Sequence, residues 1–83
     1  MITDKQNRID LLRMAEKRAA ATRLLKEWKA WHRETDGSES TTLLVLTLGM
    51  LRTIERGTEK DVNYLIDTLE DRNQKALMKK LSS

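Results

Sequence analysis

Catalysis needs nucleophiles, acid–base pairs or metal ligands, and this chain is sparing with all three. Its one histidine, His32, shares the segment KEWKAWHRE, residues 26–34, with both tryptophans. Ser38 and Ser40 follow beside a glycine, so a Ser–His pairing would rest on a loop with no third group to orient the imidazole. The sequence has no cysteine, which excludes a thiol nucleophile, a disulfide and a thiolate metal site. It has no H-E-x-x-H or Glu-x-x-His spacing, and Gly37, Gly49 and Gly57 stand singly, unlike a glycine-rich phosphate loop. The expectation is a protein that is no enzyme and takes no cofactor, metal or small-molecule substrate.

What remains is binding chemistry. Trp28 and Trp31 continue a line begun by Ala21, Leu24 and Leu25, and that spacing predicts indoles turned into a core or a dimer seam. The competing reading leaves at least one ring exposed for a base or a partner's side chain. His32, at the edge of the line, reads as a solvated or locally bonded side chain. On another face Arg18, Thr22, Lys26, Lys29 and Arg33 recur at helical spacing. Arg18, Lys26 and Lys29 have no acid three or four residues away, whereas Arg23 has Glu27 one turn on. Such a stripe is ordinarily a solvated face. As a site it suits an acidic protein surface or, alternatively, the phosphates of DNA or RNA.

The charge distribution agrees. The net charge is +3, yet residues 1–33 hold nine Lys/Arg against four Asp/Glu, and residues 34–83 hold seven against nine. A second, weaker candidate contact patch lies near the carboxyl end. There Asp67, Glu70 and Asp71 sit opposite an apolar stripe, with Tyr64 and Met78 on its flank.

Three helices would position these residues in one domain, 1–83. Proline is absent and 35% of residues are charged, a composition that permits long helices. The first is expected over about 4–34, opened by Thr3 and Gln6 at capping-box spacing and closed at Asp36-Gly37. Its apolar residues split: Leu11, Leu12, Met14, Ala15 and Ala19 lie roughly 130° around from the tryptophan line at 100° per residue. Since alanine favours helix, a continuous helix whose halves meet different neighbours is expected, not a kink at Ala19–Ala21.

The second helix, 40–56, takes Ser40, Ser38 or Asp36 as cap and Gly57 as a left-handed terminator. It is apolar nearly all round and so predicted to be central and buried on more than one side, with Leu44, Leu48, Leu51 and Ile54 as a large-residue face and Thr42, Val45, Gly49 and Thr53 as a smaller one. Gly49 lies on its small-residue side, where another backbone could approach. The third, 58–81, begins at Thr58 with Asp61 three residues on. Its stripe is Val62, Leu65, Ile66, Leu69, Asn73, Ala76 and Leu77, and a short link makes an antiparallel hairpin with the second helix.

A first helix of about 45 Å outruns partners of about 25 and 35 Å. Leu11, Leu12, Met14 and Ala15 are then surplus, and a second copy of the chain is the simplest cover. Leu25, Trp28, Trp31 and Gly49 complete the expected core and seam of an intertwined, homodimeric, all-α bundle. The longest apolar run, residues 43–51, is too short to cross a bilayer, and the first ten residues lack a signal-peptide layout. A soluble, cytoplasmic binding protein is therefore expected: a small regulator, adaptor or inhibitor, of the size of phage- or plasmid-type accessory factors.

Overall fold

The computed structural model describes residues 4–36 and 41–82, with side chains for 8–32 and 41–82. Three α-helices account for all of these residues except Gly57 and Thr58: α1 (Asp4–Asp36), α2 (Thr41–Arg56) and α3 (Glu59–Ser82). The expected all-α, three-helix chain is observed. The Thr3–Gln6 capping pair, the rival caps at Asp36, Ser38 and Ser40, and the Arg33 side chain lie outside the described residues.

The chain runs up, down and up, and side-chain contacts fix that order. Arg18 of α1 donates to the carbonyl oxygens of Ile54 and Gly57 where α2 ends, and Lys17 pairs with Glu59 where α3 begins. Higher up, Asn73 Nδ2 of α3 donates to the Leu24 carbonyl at 3.1 Å, and Lys80 lies over Trp31. Hence α3 runs parallel to α1, and α2 runs back between their ends.

α1 is continuous through Ala19–Ala21, as alanine's helix preference requires. Its inward line is Met14, Ala21, Leu25 and Trp28, with Lys17 and Arg18 half-buried alongside. Met14 therefore belongs with the tryptophan line and not with Leu11, Leu12 and Ala15, which are exposed. The surplus is real: residues 4–13 run past the α2–α3 turn by about 15 Å.

α3 buries Val62, Leu65, Leu69 and Asn73 at helical spacing, with Ile66 and Ala76 half-buried, as its stripe predicted; Leu77, at the stripe's end, is exposed. Thr58 and Asp61 form a reciprocal capping box: each backbone N–H donates to the other's side-chain oxygen at 3.2 Å. Two first-turn amides are thereby satisfied, and the turn from α2 needs only two residues.

α2 departs from expectation. It lies at the margin of the α1–α3 pair, and its inward line is Leu43, Thr47 and Ile54, flanked by Met50 and Leu51. Leu44 and Leu48, expected inside, are exposed, and so are Val45 and Leu46. A helix apolar nearly all round carries no periodic signal for which side faces in. Here the choice puts a threonine inside, tolerable because Thr47 Oγ1 donates to the Leu43 carbonyl at 2.7 Å. Gly49 faces open space, with nothing in the chain within 4 Å of where its Cβ would be.

Gly57 is required for a reason other than left-handed backbone, which it does not adopt. Its N–H donates to the Thr53 carbonyl at 2.7 Å, and a Cβ there would stand 2.4 Å from that same oxygen. Close approach, not positive φ, selects glycine.

The result is a thin slab, 54 × 28 × 15 Å, with a radius of gyration of 15.5 Å. A compact chain of this length has about 12 Å. The slab's one core joins Ala21, Leu25 and Trp28 to Leu43 and Ile54 and to Val62, Leu65 and Leu69.

Candidate binding surfaces

The aromatic end of α1 meets the last turns of α3. Trp28 is buried, and His32, one turn on, meets it edge-on at 4.3 Å between ring centroids and 63° between planes. The imidazole is spent on packing the indole. Trp31 is half-buried, and the Lys80 ammonium sits 5.3 Å from its ring centroid, within cation–π range. Thus one indole is core and the other is half-buried with a cation over its ring.

These rings floor a shallow groove of about 350 Å³, completed by Asn73 and Ala76 and rimmed by Arg72, Lys75 and Lys79. The rim follows i, i+3, i+7 spacing on α3, so the three cations form one row. Lys75 pairs with Asp71 at 3.0 Å; Arg72 and Lys79 have no ion pair among the described residues. Asn73 is buried, and its Oδ1 lacks a hydrogen-bond partner among the described residues. An acceptor left in that state is costly, on the order of 1–3 kcal/mol.

The stripe on α1 is interrupted from below. Arg18 is half-buried against the end of α2, where its guanidinium meets the carbonyl oxygens that the helix itself leaves unpaired. Thr22 Oγ1 turns back to the Arg18 carbonyl at 2.8 Å. Arg18 is therefore a helix cap and not an open phosphate ligand. Lys26 is exposed and Lys29 half-buried further up the same side, while the Arg33 side chain is outside the described residues.

On α3, Tyr64, Asp67, Asp71 and Met78 all face outward, on the side opposite Val62, Leu65, Leu69 and Asn73. Tyr64 also edges an open groove with Thr53, Lys60 and Asp61. The grouping inferred from spacing is thus present as one exposed face.

At the other end, Lys17 Nζ reaches Glu59 Oε1 at 2.6 Å, with Arg13 nearby. The hydrogen bond and charge of Lys17, then the charge of Arg13, hold the Glu59 carboxyl below its ordinary value. This pair joins α1 to the start of α3, a structural role.

Two of these features carry no local signal in the sequence. Arg18 as a cap for a helix more than thirty residues away has no signature in its own neighbourhood. The groove rim depends on α3 running beside the tryptophans, although Arg72, Lys75 and Lys79 stand at regular spacing. Asn73, by contrast, stands out as an amide inside an apolar stripe. Among the described residues no group of acidic or histidine side chains is arranged to hold a metal ion, and no helix is long and apolar enough to cross a membrane. Comparison with protein-family models, curated proteins and solved structures finds no match for this chain.

Proposed function

We propose that the chain is a non-catalytic binding protein: a homodimeric regulator, adaptor or inhibitor that engages an acidic surface on another protein. The observation supporting this reading is the groove where α1 and α3 end together, with an aromatic floor and a row of cations along its rim. Arg72 and Lys79 suit charge-assisted bonds to carboxylates, and the half-buried Trp31 is the residue type that most often anchors an interface. Lys26 and Lys29 continue the positive surface along α1. The outward face of Tyr64, Asp67, Asp71 and Met78 offers a second contact area.

The same groove supports a second reading, in which a base lies on the Trp31 side and phosphates meet Arg72, Lys79 and Lys26. That reading requires affinity to fall steeply with salt, by a log–log slope of about −0.7 per phosphate on a single strand.

The test is capture from lysate on the immobilised chain, with and without nuclease, alongside the double variant Arg72→Glu/Lys79→Glu. A protein retained after nuclease and lost in the variant is the expected result. Recovery of nucleic acid alone reverses the order of the two readings. Capture indifferent to the double variant rejects the groove as the site.

A further inference from the structure

We infer that a second copy of this chain docks on the outer face of α2, in a two-fold seam centred near Val45 and Leu48. The inference rests on the homodimeric reading above and assigns its seam to α2 and not to the projecting start of α1.

The face begins as a run without charge. Residues 41–51 contain no Asp, Glu, Lys or Arg, and Thr41, Leu44, Val45 and Leu48 share one side of the helix. Val45 is 63% and Leu48 65% exposed in the single chain. Contiguous apolar surface of this kind marks an interaction site on a protein that stays in solution.

Area says how much is missing. A compact 9.7 kDa chain exposes about 5,100 Å², whereas this one exposes 6693 Å². The excess, about 1,600 Å², is twice the roughly 800 Å² that each partner gives to a standard interface. The first ten residues of α1, which run past the α2–α3 turn, and the outer face of α2 both contribute to it. Two copies placed back to back through α2 cover the part that lies on α2.

The chemistry selects a copy of the same chain as occupant. In a two-fold seam each residue meets its own kind or its mirror partner, so the patch must complement itself. The aliphatic part of this face, which ends at Arg52, does this without penalty, whereas the cationic groove facing a copy of itself would repel. Seams of obligate homodimers are the more apolar class. Gly49, with open space where a Cβ would stand, lets the partner's backbone come near beside Val45. The start of α1 is a poorer candidate, since Arg8 stands between Leu11 and Leu12 on the same side of the helix.

Light scattering on the full chain at micromolar concentration tests the seam, with the variants Val45→Lys/Leu48→Glu and Leu11→Glu/Leu12→Glu. The expected mass is twice 9.7 kDa for the wild type and the α1 variant, and half that for the α2 variant. Because the α2 variant could unfold once separated, a second measurement uses the absence of native cysteine. Val45→Cys should be joined to its own copy by a short bis-maleimide, and Glu70→Cys, on the outer side of α3, should not. A dimer that survives the α2 changes, or that the α1 changes dissolve, with no Val45→Cys linkage, overturns the α2 seam and leaves the homodimer standing. A monomeric wild type overturns both, and a different protein covering α2 is then the occupant.

Discussion

Arg18 decides whether the basic stripe is a binding face or part of the scaffold, and its removal has a size that can be worked out. The guanidinium donates to the Ile54 and Gly57 carbonyls, half-buried at the negative end of α2. A hydrogen bond from a charged donor is worth about 1.5–3 kcal/mol, and a cation at a helix carboxyl end contributes about 0.3–1 kcal/mol, part of which is the same interaction. Arg18→Ala should therefore destabilise the chain by about 2 kcal/mol. With a urea slope of about 1 kcal/mol/M for a protein this small, the midpoint falls by about 2 M. Arg18→Lys keeps the charge and loses the fork, so it should fall in between. Both are measured by circular dichroism at one fixed protein concentration, because self-association would otherwise shift the midpoint. A midpoint for Arg18→Ala within about 0.3 M of wild type, together with lost capture of a partner, would refute the cap and return Arg18 to the binding surface.

Other changes read other contacts. Asn73→Leu removes an unpartnered buried oxygen at the cost of one bond to a carbonyl within α1, so stability should hold or rise by about 1 kcal/mol; a thermal melt showing a clear loss would mean the amide is better satisfied than its neighbours suggest. Gly57→Ala forces a methyl toward the Thr53 carbonyl and should cost more than about 1 kcal/mol by urea titration, against the helix-propensity gain that alanine usually brings. Glu59, its carboxyl held below the ordinary 4.5, contributes stability that is present above that value and lost as pH falls through the lowered one. Glu59→Gln should flatten this part of the acid limb, and because the pair is solvent-exposed the effect is small; an unchanged acid profile would show that the Lys17 bond contributes nothing in solution.

The sequence was most legible where each residue had one plausible job. α3 separates buried and exposed positions cleanly as far as Ala76, and its Thr58–Asp61 box is a local motif, so its start, its stripe short of Leu77 and its outward patch follow from spacing. Alanine at 19–21 likewise made the continuity of α1 readable. α2 was the reverse. With Leu, Val, Met and Thr on every side, its inward face is chosen by what it meets, and spacing alone does not place Leu44 and Leu48. Gly57 marks the end of α2 in sequence and structure alike, but sequence alone does not distinguish a backbone needing positive φ from one crowded by a carbonyl. In the candidate groove the tryptophans stand out in the sequence and the rim does not, because Arg72, Lys75 and Lys79 acquire meaning only once α3 lies parallel to α1.

The placing of α2 links the two surfaces of this molecule. Within the chain it is held by Leu43, Thr47 and Ile54 beneath and by Arg18 at one end, a thin anchorage for sixteen residues. A helix so held opens locally at a low free energy, and anything that binds its outer face raises that energy by mass action. Yet α1, which supplies Trp28 and Trp31 to the groove, also packs on α2 through the core they share. Covering Val45 and Leu48 therefore secures α2, and α2 in turn secures the core that holds Trp28. On this physical footing the binding surface should be firmest in the assembled protein: charged substitutions on α2's outer face should weaken capture by the groove although they touch none of its residues, and the loss should reverse as protein concentration is raised.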